Sequence, residues 1–125
     1  SKNTKAKEIY AIEINPTAHK YALENLKLNK INNVKLFKGD VRTILPKIKK
    51  KFDRIIMPHP TDSESYLKLA LKKLKNHGVI HLYLFSKEED FENLKQKYKK
   101  FEKVKLIKCG VYSPYVYRIC LDLNK

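Results

Sequence analysis

Two acidic residues and one proline-bracketed histidine are the side chains here whose type and placement can do chemistry. Glu13 closes the apolar run Glu8-Ile9-Tyr10-Ala11-Ile12-Glu13-Ile14, just before the helix-starting pair Asn15-Pro16. A carboxylate at the end of a buried strand can accept both hydroxyls of a ribose, with Ile14 alongside. It can equally cap a neighbouring backbone group. Asp40 follows Gly39 at the end of the next apolar run, Val34 to Phe37. There it can accept the amino hydrogens of an adenine, with the Val41 backbone beside it. Gly-Asp is also a common turn dipeptide, so the residues alone leave both readings open.

Met57-Pro58-His59-Pro60 ends a third apolar run. Two prolines around one residue hold the chain extended and remove backbone donors, so the segment can present carbonyl oxygens and one side chain to a planar base. The His59 imidazole can serve as a general base, or it can simply stand in solvent on a stiff connection. The sequence contains no Ser/His/Asp order, HExxH or phosphate-loop pattern that would support hydrolysis or phosphoryl transfer. His81, inside an apolar run, is expected to be a satisfied core residue. His77 suits a helix C-terminus, and His19 an exposed helix. Cys109 and Cys120 cannot build a disulfide framework, and with no zinc-type spacing no metal is expected.

Strands alternating with helices must position these groups. Strands are expected at 8–14, 34–37, 52–57 and 79–85, and a closing hairpin at 104–112 and 115–123, turning at Ser113-Pro114. The first helix starts at Asn15-Pro16 and ends by Asn32-Asn33. A helical turn spans Thr43 to Ile48. A further helix, capped by Asp62 or Ser63, buries Tyr66, Leu67, Ala70, Leu71 and Leu74 and closes at Asn76-His77-Gly78. A last helix, capped by Ser86, runs through Phe91, Leu94 and Tyr98. This order predicts a single α/β domain over 1–125, its sheet mostly parallel with one antiparallel strand. In such sheets ligands bind beyond the carboxyl ends of the strands, where Glu13, Asp40 and Met57 to Pro60 fall.

With 125 residues, 42% of them hydrophobic, the chain can bury one core without staples. No apolar run is long enough to cross a membrane, and no secretory leader is visible at the start, so a soluble, cytoplasmic domain is expected. Charge is lopsided: 28 Lys and Arg against 13 Asp and Glu leave a net +15. Such a surface favours polyanions through counterion release, whereas lysine enrichment by heat adaptation normally raises glutamate too. The candidate RNA contacts are the basic loop Lys49, Lys50 and Lys51, Arg118, and Tyr112, which can stack on a base. Tyr112, Tyr115 and Tyr117 are expected on one side of the hairpin, where cross-strand packing is the plainer role for the last two. The run Lys95, Lys97, Lys99, Lys100, Lys103 and Lys105 reads equally well as a solvated face.

Taken in order, Tyr10-Ala11-Ile12-Glu13-Ile14-Asn15-Pro16, Glu24-Asn25-Leu26-Lys27-Leu28-Asn29 and Gly39-Asp40-Val41-Arg42 resemble the class I S-adenosylmethionine-dependent methyltransferases. Phe52 to Pro60, Gly78-Val79-Ile80-His81 and Tyr112-Ser113-Pro114 with Tyr117 to Asp122 narrow the resemblance. The set is similar to the archaeal Trm-five family of tRNA (guanine-37, N1) methyltransferases and its wybutosine-pathway relatives. The resemblance implies a Rossmann-like fold, S-adenosylmethionine as cofactor and tRNA as partner. It implies cofactor contacts at Glu13, Ile14, Asp40, Val41 and Met57, and a catalytic loop at Pro58, His59 and Pro60. Pro58 stands where the family often carries an asparagine, so the usual side-chain amide contact to the target base is lost. The family's first strand and glycine-rich loop would precede Ser1, which implies the C-terminal part of a longer enzyme that needs its upstream domains. Without that strand, a gap or an altered pairing is expected between the strands carrying Glu13 and Met57. The rival expectations are a non-catalytic basic RNA-binding module, and transfer of an aminocarboxypropyl group from the same cofactor.

Overall fold

The computed structural model describes residues 3–61 and 63–125, and the chain divides into two compact units, Ser1–Lys49 and Lys50–Lys125. In the first unit, β1 (Ile9–Glu13) and β2 (Val34–Lys38) pair in parallel, with Ile9 opposite Val34 and Glu13 opposite Lys38. The connection is α1 (Pro16–Leu28). Asn15 begins it as the sequence predicts: its side chain accepts from the Thr17 and Ala18 N–H groups at 2.9 and 3.2 Å, satisfying donors that the first turn leaves free. The helix ends at Asn29, whose backbone and side-chain nitrogens both donate to Asn25 O. Beyond β2, α2 (Val41–Ile44) runs into a tighter turn at Leu45–Lys47. Leu45 and Ile48 are the buried apolar residues of this unit.

The second unit holds a four-stranded sheet in the order β3-β4-β6-β5. Its strands are β3 (Phe52–Met57), β4 (Leu74–Lys87), β5 (Lys103–Ser113) and β6 (Val116–Asn124). β3 and β4 are parallel, and β6 runs antiparallel to both β4 and β5. Only β6 is therefore reversed, as the sequence predicts. The helices α3 (Ser63–Lys73) and α4 (Phe91–Lys97) follow β3 and β4. Alternation along the strands sends Ile80, Leu82, Leu84, Ile119, Leu121 and Leu123 to one face, where they form the core with Leu67, Ala70, Leu74, Tyr98 and Phe101. Each such side chain contributes about 1.5–3 kcal/mol of burial. β1 and β2 form the sheet of the first unit, and β3 belongs to the sheet of the second.

Four local expectations are corrected. α3 ends at Lys73, before Leu74, the last residue of its expected apolar face, and before the expected close at Asn76-His77-Gly78. Leu74 pairs with Phe52 at the start of β4, and His77, with φ of 60°, donates its N–H to Lys125 O, so tertiary pairing takes over the last turn. Asp62 lies outside the described residues, and Ser63 is the first helical residue rather than the cap. Ser86 caps nothing: it pairs with Tyr117 while β4 continues to Lys87, and a short turn at Glu88–Asp90 precedes α4. The hairpin turns at Pro114-Tyr115, with Tyr115 at φ 63°, and irregular pairing between Val111 and Ser113 places Tyr112 and Tyr117 in different surroundings. Tyr112 lies on Phe85, whereas Tyr117 packs on the helix side against Phe91.

Candidate functional site

In the first unit, the carboxyl ends of β1 and β2 are tied together by the Gly39 N–H, which donates to Glu13 O at 3.0 Å. Gly39 sits at φ 143°, a conformation that disfavours any side chain, and an added Cβ would stand 3.3 Å from Ile44. The two acidic residues thus emerge at one edge. Glu13 is half-buried and its Oε1 accepts from the Asn15 N–H at 2.7 Å, leaving the second oxygen without a partner among the described residues. Asp40 begins α2, accepting from the Arg42 N–H at 2.7 Å, while the Arg42 guanidinium binds both its oxygens. The guanidinium first, then the backbone N–H, hold the Asp40 carboxyl below its ordinary range, against the small opposing effect of burial. Ile14 is exposed and Val41 half-buried at the same edge. Glu13 fits a ribose diol, since one carboxylate oxygen is available. The Asp40 carboxylate is committed to Arg42 and the helix start, so an adenine amino group would have to share it.

In the second unit, Met57 ends β3 buried at 9% exposure, while Pro58 and His59 are exposed. The loop is fastened from below by Ser63, a buried polar residue whose hydroxyl donates to Met57 O at 3.3 Å and is also bonded to His59 O. His59 Nδ1 lies 2.9 Å from Thr61 Oγ1, which orients the ring. Two backbone carbonyls are thereby drawn inward while the imidazole stays outward. That arrangement can present a rigid, shallow surface and one titratable nitrogen, but no amide.

Of the candidate RNA contacts, Lys49, Lys50 and Lys51 are exposed, Arg118 is exposed on β6 opposite Phe85, and Tyr112 is 66% exposed against the Phe85 ring at 4.1 Å. The sequence reading missed a buried polar cluster. His81 Nδ1 lies 2.6 Å from Asp122 Oδ1, and the Cys120 thiol donates to the same oxygen at 3.5 Å. Each of the three offers a donor atom within 4.8 Å of the others, so they are the described residues that can hold a metal, although the His81–Asp122 bond already engages that pair. His81 Nε2 is buried without a partner, so the core histidine is only half satisfied. No local spacing reveals the cluster. The signal was that His81 and Asp122 each interrupt an apolar strand, which strand register turns into a pair.

Burial first, then the Asp122 hydrogen bond, push the Cys120 thiol up to about 12. A raised thiol pKa favours the neutral folded form, so this contribution is complete below pH 9 and fades as pH rises from there towards 12. At pH 8, an aromatic disulfide reagent should therefore titrate one thiol, exposed Cys109, and reach Cys120 only after denaturation. Rapid release of two equivalents from the folded chain would contradict this placement.

A profile of the TRM5/TYW2 methyltransferase domain matches residues 1–111. The chain belongs to that methyltransferase family. It is 39% identical to the tRNA (guanine(37)-N(1))-methyltransferase Trm5b of Pyrococcus abyssi, over 96% of this chain and 38% of the relative. It is 42% identical to a tRNA(Phe) (4-demethylwyosine(37)-C(7)) aminocarboxypropyltransferase of Methanocaldococcus jannaschii, over 66% of this chain and 32% of the relative. The crystal structure of M. jannaschii TYW2 in complex with AdoMet superposes with a TM-score of 0.82 at 33% identity, covering 98% of this chain and 59% of that one. The chain thus spans about a third of the length of these curated relatives.

Proposed function

We propose that this chain is the cofactor-side part of an S-adenosylmethionine-dependent tRNA methyltransferase that modifies N1 of guanine-37. The observation that carries the reading is the tied edge of the first unit, where Glu13 keeps one carboxylate oxygen available beside Asp40, in a chain of this family. When bound, the cofactor supplies an electrophilic methyl group on a sulfonium. Glu13 would hold the ribose hydroxyls, Asp40 and Val41 the adenine, and Ile14 would supply apolar contact. The protein's work is then to orient the guanine and accept its N1 proton. Pro58 and Pro60 would fix the loop under the base, and His59, oriented by Thr61, is this chain's candidate proton acceptor. Lys49, Lys50, Lys51, Arg118 and Tyr112 would meet the tRNA, and the enzyme would act in the cytoplasm. Domains in the further length that its relatives carry would complete the site.

A second reading is favoured by the aminocarboxypropyltransferase relative, which matches two thirds of the chain. Mass analysis separates the two. Unmodified tRNA and, separately, tRNA carrying 4-demethylwyosine at position 37 are incubated with S-adenosylmethionine and the chain, alone and joined to the further length typical of its relatives, then digested to nucleosides. A single added methyl on guanosine is expected. An added aminocarboxypropyl group would transfer the assignment to the second reading, and no modification in either form would end both.

A further inference from the structure

The second unit gathers its positive charge at the amino ends of β3 and β4. Leu74 pairs with Phe52, the Lys125 N–H donates to Gly78 O at 3.0 Å and the Glu102 N–H to Asn124 O at 3.1 Å. Residues 50–53, 72–78, 99–105 and 124–125 therefore meet at one end of the sheet. These segments carry ten lysines against Asp53 and Glu102, whereas the rest of the unit carries seven Lys and Arg against seven Asp and Glu. All of the unit's net charge thus stands at this end. The Pro58–Pro60 loop is at the other, about 20 Å away along the six residues of β3. Ion pairing divides the lysines in the same way. Away from this end, Lys87, Lys95, Lys97 and Lys108 each reach a glutamate at 2.6–3.3 Å. At it, Lys75 pairs with Asp53, but Lys51, Lys72, Lys99, Lys103 and Lys105 are exposed with no carboxylate in ion-pair distance among the described residues. Heat adaptation would set such lysines in networks with glutamate. The dipole of α3 favours Lys72 in its last turn, yet it does nothing for Lys51 before β3 or for Lys103 and Lys105 on β5.

We infer that this end of the sheet is a docking surface for the phosphate backbone of a helical RNA segment, separate from the end that carries the Pro-His-Pro loop. Unpaired lysines bind phosphates as point charges and release condensed counterions. The side chains present suit a backbone rather than bases. The ten cations are all lysine, so the planar fork that reads a guanine edge is missing from these segments. Their rings, Phe52 and Phe101, are half-buried and buried, which leaves no platform for an unstacked base. The exposed tyrosines of the unit, Tyr112 and Tyr115, stand at the hairpin tip, where Lys87 pairs with Val116 at the opposite end of β4. A helix, with its bases turned inward and its phosphates outward, is the form of RNA that such a surface fits. Lys50 and Lys51 belong to this surface, so their RNA contact falls away from the loop. The inference deepens the tRNA reading, on which it rests for RNA as the polyanion.

The test is fluorescence anisotropy of the chain with a labelled RNA hairpin whose stem makes about one helical turn, across a series of salt concentrations. Replacing Lys72, Lys99 and Lys103 together by Gln should weaken hairpin binding about tenfold or more and lower the slope of log affinity against log salt by about 2–3. Arg at the same three positions should keep the wild-type affinity and slope, because the charge is retained. The matched control replaces Lys7, Lys20 and Lys27 of the first unit by Gln, an equal change of net charge, and should alter affinity by less than about threefold. Equal losses in the two Gln triples would show that total charge alone attracts RNA, and would overturn the inference. So would an Arg triple as weak as the Gln one, which would trace the loss to folding. An unstructured RNA of the same length tests the form of the partner. A wild-type preference for it over the hairpin would also overturn the proposal. S-adenosylmethionine titration of the same proteins separates this claim from the methyltransferase reading. Site-dependent hairpin binding without cofactor binding would sink that reading and leave the basic surface standing, and cofactor binding without site-dependent hairpin binding would sink only the surface.

Discussion

Glu13→Ala is expected to lower affinity for S-adenosylmethionine by about two orders of magnitude or more, with little change in folding stability. Each hydrogen bond between a ribose hydroxyl and a carboxylate contributes about 1.5–3 kcal/mol, because the acceptor is charged, and one side chain would make two of them. On the protein's own side the loss is small. Glu13 is half-buried at a strand end, and what it gives the fold is one hydrogen bond to the Asn15 N–H at 2.7 Å. The backbone tie between Glu13 O and the Gly39 N–H survives the substitution. Calorimetric titration of cofactor and urea unfolding, on the same protein, read the two effects separately. Unchanged cofactor affinity would remove Glu13 from the site, and with it the observation on which the proposed activity rests. Glu13→Gln should fall between, since an amide retains one acceptor but loses the charge.

What could be read from the sequence was what local rules control. Asn15 and Pro16 start α1 because a cap and a fixed φ act within one turn, and β3 spans Phe52–Met57 because a proline stops it. The acidic strand ends were legible for the same reason: Glu13 and Asp40 stand at changes of periodicity. What escaped were outcomes of pairing between distant segments. The end of α3 yields at Leu74 because β3 and residue Lys125 claim that stretch, and Ser86 loses its capping role because β6 extends β4 by two further pairs. The same blindness hid His81 with Asp122. It also hid the commitment of Asp40 to Arg42, since a capping carboxylate and a ligand-binding one look alike until the guanidinium is placed.

Leu121→Ala should cost the second unit about 2–5 kcal/mol of unfolding free energy, the range for removing a fully enclosed leucine side chain. Leu121 has no exposed surface, and it stands midway along the one reversed strand, opposite Leu82 of β4 and Leu106 of β5. A cavity there loosens β4, β5 and β6 at once, and β3, which ends at Met57, pairs with β4. Leu28→Ala is the matched comparison, because that leucine is 79% exposed on α1 and should change stability by no more than about 0.5 kcal/mol. Urea denaturation of both proteins gives the contrast directly. A loss at Leu28 equal to that at Leu121 would mean that α1 is covered in solution and that burial within the second unit does not set the stability being measured. The expected inequality instead makes β6 the strand on which, through β4 and β3, the position of the Pro-His-Pro loop depends. Against domain stabilities of about 5–15 kcal/mol, one such loss removes a large share of what holds the loop in place.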